Sequence, residues 1–115
     1  MTYIDGFVTA VPIAGKQAYI DHVRAAGPVF KEYGALRLVE AWGDDVPAGK
    51  VTDFRRAVQA QDEEAVLFSW IEWPSRQIRD QAMRKVLADP RILNLDVPFD
   101  GKRMIFGGFQ PIFDE

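Results

Sequence analysis

The residues whose types and spacing could do chemistry gather in one stretch, Gly43 to Ala65, where a tight hairpin needs only about two to five residues. It opens with Gly43-Asp44-Asp45, runs through Thr52-Asp53-Phe54-Arg55-Arg56-Ala57-Val58 and closes on Asp62-Glu63-Glu64. Asp44, Asp45 and Asp53 are hard oxygen donors of the kind that hold a cation. Arg55 and Arg56 carry forked guanidinium donors that clamp a carboxylate or phosphate. The same residues fit a plainer use, with Gly43-Asp44-Asp45 as an Asx-type turn, Asp53 paired to an arginine and Asp62-Glu63-Glu64 as a solvated charge run. No calcium-loop spacing is present, so no metal is expected. The ligand this stretch suits is a small anion, with Asp44, Asp45, Asp53, Arg55 and Arg56 as candidate binding residues. Thr52 can cap a short helix, and Val46, Val51, Phe54 and Val58 suit docking on a neighbouring surface.

His22 is the only histidine and the only side chain whose ordinary pKa lies near neutrality, which makes it the candidate general base. At about 100° per residue it falls beside Tyr19 and Tyr33 at the border of an apolar helix face. It could there face a cleft between helix and sheet, although a half-buried structural role is the commoner use of such a histidine. Trp42, Trp70 and Trp73 read as core or interface filler before they read as a substrate platform. No Gly-rich phosphate loop and no nucleophile elbow is present, and Ser75 after Pro74 is a helix cap.

The chain that must position these groups has 115 residues, 48% apolar and 27% charged, with a net charge of −3. That is one domain's worth of chain, 1–115, at globular composition. The acidic balance argues against nucleic acid as a partner. Zero Cys removes disulfides, Fe–S clusters and thiolate metal sites. No cofactor is expected. No apolar run is long enough for a membrane span and no signal-peptide pattern opens the chain, so a cytoplasmic location is expected.

Tyr3 to Val11, ending at Pro12, reads as a strand. Lys16 to Tyr33 has helical spacing and stops at Gly34, with a kink or short break expected at Gly27-Pro28. Leu36–Trp42 and Val66–Trp73 read as strands, Arg76 to about Ala88 as a helix capped by Ser75, Asp89-Pro90 as the start of a further turn, and Met104–Phe109 as a last strand. The order β-α-β-β-α-β predicts a ferredoxin-like α+β fold, a four-stranded antiparallel sheet with both helices on one face. Val66–Trp73 is apolar on both faces, so the uncovered face predicts a homodimer formed through the sheets, the dimeric α+β barrel arrangement. Gly107-Gly108 inside a strand marks close approach of another surface, a dimer contact or a ligand.

Five ordered motifs, Asp5-Gly6-Phe7-Val8, Trp42-Gly43-Asp44-Asp45-Val46-Pro47, Thr52–Val58, Phe68-Ser69-Trp70-Ile71-Glu72 and Pro98-Phe99-Asp100-Gly101-Lys102-Arg103-Met104, resemble the YbaA-like family of small uncharacterised bacterial proteins. The resemblance implies a dimeric α+β barrel with no established activity, and Ala41 stands where that family would be expected to carry Cys. The functional expectation is a small-molecule-binding or regulatory homodimer. A cofactor-independent monooxygenase or isomerase is the alternative, and a purely structural assembly protein the third reading.

Overall fold

In the computed structural model, which describes residues 2–115, the β-branched and aromatic run at the N-terminus becomes β1 (Tyr3–Pro12). A 3-10 turn then leads into α1 (Lys16–Glu32). β2 (Arg37–Trp42), a short α2 (Phe54–Ala57) and β3 (Glu64–Trp73) follow. The chain ends with α3 (Arg76–Ala88), a one-turn α4 (Pro90–Leu93) and β4 (Ile105–Phe109). The sheet order is β2-β3-β1-β4 with every neighbouring pair antiparallel, the ferredoxin-like arrangement.

Register decides what each face carries. Phe7 lies opposite Ser69 on one side and Phe106 on the other, and Ser69 lies opposite Glu40. With side chains alternating between faces, Phe7, Ser69 and Glu40 therefore form one row on the face that α1 and α3 cover. On that face Trp73 and Ile71 pack with Ala35 and Ala82, and Val11 and Leu67 pack with Tyr19. On the other face Val8, Ala10 and Val66 pack against Val58 from the long loop.

Local signals account for the boundaries. Ser75 accepts a hydrogen bond from the Ile78 N–H and starts α3, and Asp89 does the same for Arg91 at the start of α4, where Pro90 fills the first position. No break interrupts α1 at Gly27-Pro28. A residue preceding proline is normally driven out of the helical region by its own Cβ, and Gly27 has none. The cap of α2 is Asp53, one residue later than the expected Thr52, with its carboxylate accepting from the Arg56 N–H.

β3 begins two residues before the expected Val66, because Glu64 is not part of a solvated run. Its side chain is buried against Arg103, with both guanidinium Nη atoms 2.7 Å from its two carboxylate oxygens. The close approach at Gly108 is made within the chain. A Cβ there would collide with the Tyr3 hydroxyl and the Arg79 guanidinium. Those two stack beside Asp5, which accepts from Trp73 Nε1 at 2.9 Å and from Arg79 Nη2 at 2.8 Å.

Candidate functional site

A cavity of about 960 Å³ lies between α1 and the sheet, a volume in the range of small-molecule sites. Its floor is the row Phe7, Ser69 and Glu40 with Leu38 and Ile71 beside it, its roof is α1 from Tyr19 to Lys31, and Phe99 and Met104 also line it. The helical spacing of Tyr19, His22, Val23, Ala26 and Phe30 turns one side of α1 onto this space. The cavity is where sequence spacing placed a possible cleft, and His22 lines it.

Most of the wall is apolar, and a few polar groups converge on it. Tyr19, buried, donates its hydroxyl to Glu40 Oε2 at 2.9 Å, and Ser69 lies directly opposite Glu40 in the β2–β3 register. Burial raises the Glu40 pKa, and the Tyr19 hydroxyl and the neighbouring Ser69 oppose the rise without cancelling it. Glu40 is exposed as a whole residue and lines the cavity, so its carboxyl is within reach of both solvent and a ligand. Burial, and then the neighbouring Glu40, push the Tyr19 hydroxyl far above its ordinary range, which keeps it a donor. His22 Nδ1 is buried and has no hydrogen-bond partner, an uncommon state for a buried polar atom. The rings of Tyr19, His22 and Phe99 lie about one contact apart, at 5.8 to 6.3 Å between centroids.

The five loop residues sit elsewhere and are largely engaged with the loop itself. Asp53 holds the α2 cap, accepts from the Gly49 N–H at 3.0 Å and pairs with Arg56 at 3.4 Å. The Arg56 guanidinium also donates to the Gly49 and Lys50 carbonyls, and that of Arg55 to the carbonyls of Gln61 and Glu64, at 2.7 and 2.9 Å. Asp44 and Asp45 are exposed. Among the described residues, no group of three or more acidic or histidine side chains is gathered for a cation. Of the apolar loop residues, Val58 is fully buried and Phe54 sets its ring edge-on to Phe68 at 6.0 Å, while Val51 is 91% exposed.

Sequence reasoning singled out His22 and Tyr19 but missed Glu40, Ser69 and Phe99. A usable signal was present. Glu40 is the lone acid between Leu38 and Trp42, on the parity of strand positions that must face the helices. A charge on the inward parity of a strand needs either a partner or a function.

Residues 2–101 match the family described as "Protein of unknown function (DUF1428)". The chain belongs to that family. It is 57% identical, over the whole of both chains, to the "Uncharacterized protein YbaA" of Escherichia coli strain K12, in keeping with the YbaA-like resemblance of the five motifs. Among solved structures this DUF1428 chain is similar in fold to a dimeric ferredoxin-like protein from an uncultured marine organism. There the TM-score is 0.63 at 14% identity, covering all of both chains. It is also similar to SnoaB, a cofactor-independent oxygenase from Streptomyces nogalater, with a TM-score of 0.56 at 12% identity over 97% of this chain and 95% of that one. Among the described residues no helix is long and apolar enough to cross a membrane.

Proposed function

We propose that this protein is a cytoplasmic homodimer that binds a small molecule in the cavity beneath α1. The observation that carries the reading is the convergence of Glu40, Tyr19, Ser69 and the unpartnered His22 Nδ1 on one large, otherwise apolar space. A purely structural assembly protein has no use for such a void, because side chains that fill it would add stability.

The dimer reading rests on the face of the sheet that the helices leave open. Phe68 is 44% exposed there, Ile105 45% and Phe109 60%, around an apolar groove of about 610 Å³. At roughly 25 cal/mol per Å² of apolar surface, covering these side chains contributes several kcal/mol. A second copy, bringing an identical face, supplies that cover, and the marine ferredoxin-like relative in fold is described as dimeric.

Leu38 points into the cavity from an edge strand, where a tryptophan is tolerated. The Leu38→Trp variant is expected to abolish binding of 1-anilinonaphthalene-8-sulfonate at one site per subunit, and Phe68→Ser to leave that site intact. Dye binding unchanged by Leu38→Trp removes the chamber reading, and a monomer at micromolar concentration in sedimentation removes the dimer.

A second reading, a cofactor-independent monooxygenase or isomerase, is favoured by one feature. Glu40, with its raised pKa, and His22 face the same space and could exchange a proton with a bound substrate. SnoaB, of similar fold, is named as such an oxygenase. Turnover that survives both Glu40→Gln and His22→Phe excludes this role for them.

A further inference from the structure

The last strand is apolar on both of its faces, and packing two sheets against each other covers only one of them. Ile105 and Phe109 lie opposite Val8 and Ile4, on the open face of the sheet. Phe106 lies opposite Phe7, on the other face, yet it is 72% exposed. β4 is also an edge strand, with β1 on one side and no strand on the other. An edge with a large exposed aromatic beside it invites pairing with another chain unless something lies along it.

The segment that follows β4 is equally uncovered. Pro111 has no N–H to give to a ladder, so the residues after Phe109 leave the sheet. Within this tail Ile112 is 97% exposed and Phe113 79%, so neither is packed on its own subunit. With Phe68, the five exposed apolar side chains between Ile105 and Phe113 present roughly 800 Å² of surface, about what one partner contributes to a standard interface. The last two residues, Asp114 and Glu115, are carboxylates that an anionic lipid surface repels, which argues against a membrane as the cover.

Resting on the homodimer reading above, we propose that the two subunits exchange tails. Residues 110–115 of each cross to the other and seat Ile112 and Phe113 against its edge strand, beside Phe106. Packed sheets lie about 10 Å apart, and three residues of extended chain span that distance. The step from Phe109 through Gln110 and Pro111 therefore delivers Ile112 and Phe113 at the partner's sheet. Two-fold symmetry makes the exchange reciprocal. Phe106 stacks on Phe7 at 6.5 Å, and Phe7 lines the chamber beneath α1, so the partner's tail rests one ring away from that space.

Photocross-linking of the full-length protein tests this. The variant with p-benzoylphenylalanine at position 113 is mixed with an excess of ¹⁵N-labelled wild type, irradiated and digested. Mixed-isotope cross-links that join position 113 to residues 105–109 of the other chain are expected. In sedimentation, Ile112→Ser/Phe113→Ser is expected to raise the dimer dissociation constant at least about a hundredfold, since two apolar side chains per subunit lose their cover. Both residues are exposed in the single subunit, so its circular dichroism should not change. A wild-type dimer whose cross-links carry only the light isotope overturns the exchange and leaves the dimer reading standing. So does a double serine variant that dimerises as tightly as wild type. A wild type that is monomeric at micromolar concentration removes both.

Discussion

The long loop and the chamber beneath α1 both contain acidic, basic and aromatic residues, yet they use them in opposite ways. In the loop, the charged groups that have partners are turned inward on the chain. Asp53 caps α2, the arginines tie up carbonyls, and Glu64 is locked to Arg103. In the chamber, the wall is mostly apolar and one buried polar atom, His22 Nδ1, has no partner. Density of charge is therefore no measure of how many groups are free to meet a ligand. Unused hydrogen-bonding capacity facing apolar space is the better guide.

The sharpest break of this contrast is to cut the clasp that holds the loop to the segment before β4. Arg103→Met leaves the buried Glu64 carboxylate without its cation, holding only the Gln61 N–H, and its Tm is expected to fall by roughly 10 °C in calorimetry. Dye binding in the chamber is expected to persist at temperatures where the variant is folded. A variant as stable as wild type would show the clasp to be ornamental.

The pH dependence of the two regions has opposite sign. Arg103, with its direct hydrogen bonds, lowers the Glu64 pKa from 4.5 to about 2. A depressed carboxylate stabilises the fold fully above its unfolded value, so this contribution is complete above about pH 5 and is lost as the pH falls toward 2. Glu40 is raised by burial instead, so its neutral form is the one the fold favours. Its contribution is complete below the unfolded value near 4.5 and is lost as the pH rises through the elevated folded value. The Glu40→Gln variant is accordingly expected to gain a few degrees in Tm relative to wild type on going from pH 4 to pH 7. A difference between the two proteins that stays flat over that range removes the account of Glu40.

The smallest effect is expected at Asp44 and Asp45. Both are exposed, and the double change to Asn should leave Tm within about 2 °C and dye affinity unaltered. A clear loss of dye affinity in that variant would return the loop to the functional surface.

Much of the architecture was legible because its signals are local. Ser75 and Asp89-Pro90 announce helix starts within three residues, and the apolar runs ending at Pro12 and Pro74 bound two of the strands. What local reading missed depends on partners distant in the chain. Glu64 looks solvated until Arg103 is seen to fold back on it, and Gly108 looks like an intermolecular contact until Tyr3 and Arg79 occupy its missing side chain. The cavity was anticipated through His22 and Tyr19, which share a helix face. Glu40 was not, because its surroundings come from a helix about 20 residues upstream and a neighbouring strand about 30 residues downstream.

The crowding over Gly108 also constrains how sequences of this kind can drift. Any side chain at that position would displace the Tyr3 ring and the Arg79 guanidinium, and with them the hydrogen bonds that hold Asp5 beside Trp73. A homologue that replaces this glycine should therefore have shortened its counterparts of Tyr3 and Arg79 as well. The three positions, spread from the first strand to the last, are expected to change together or not at all.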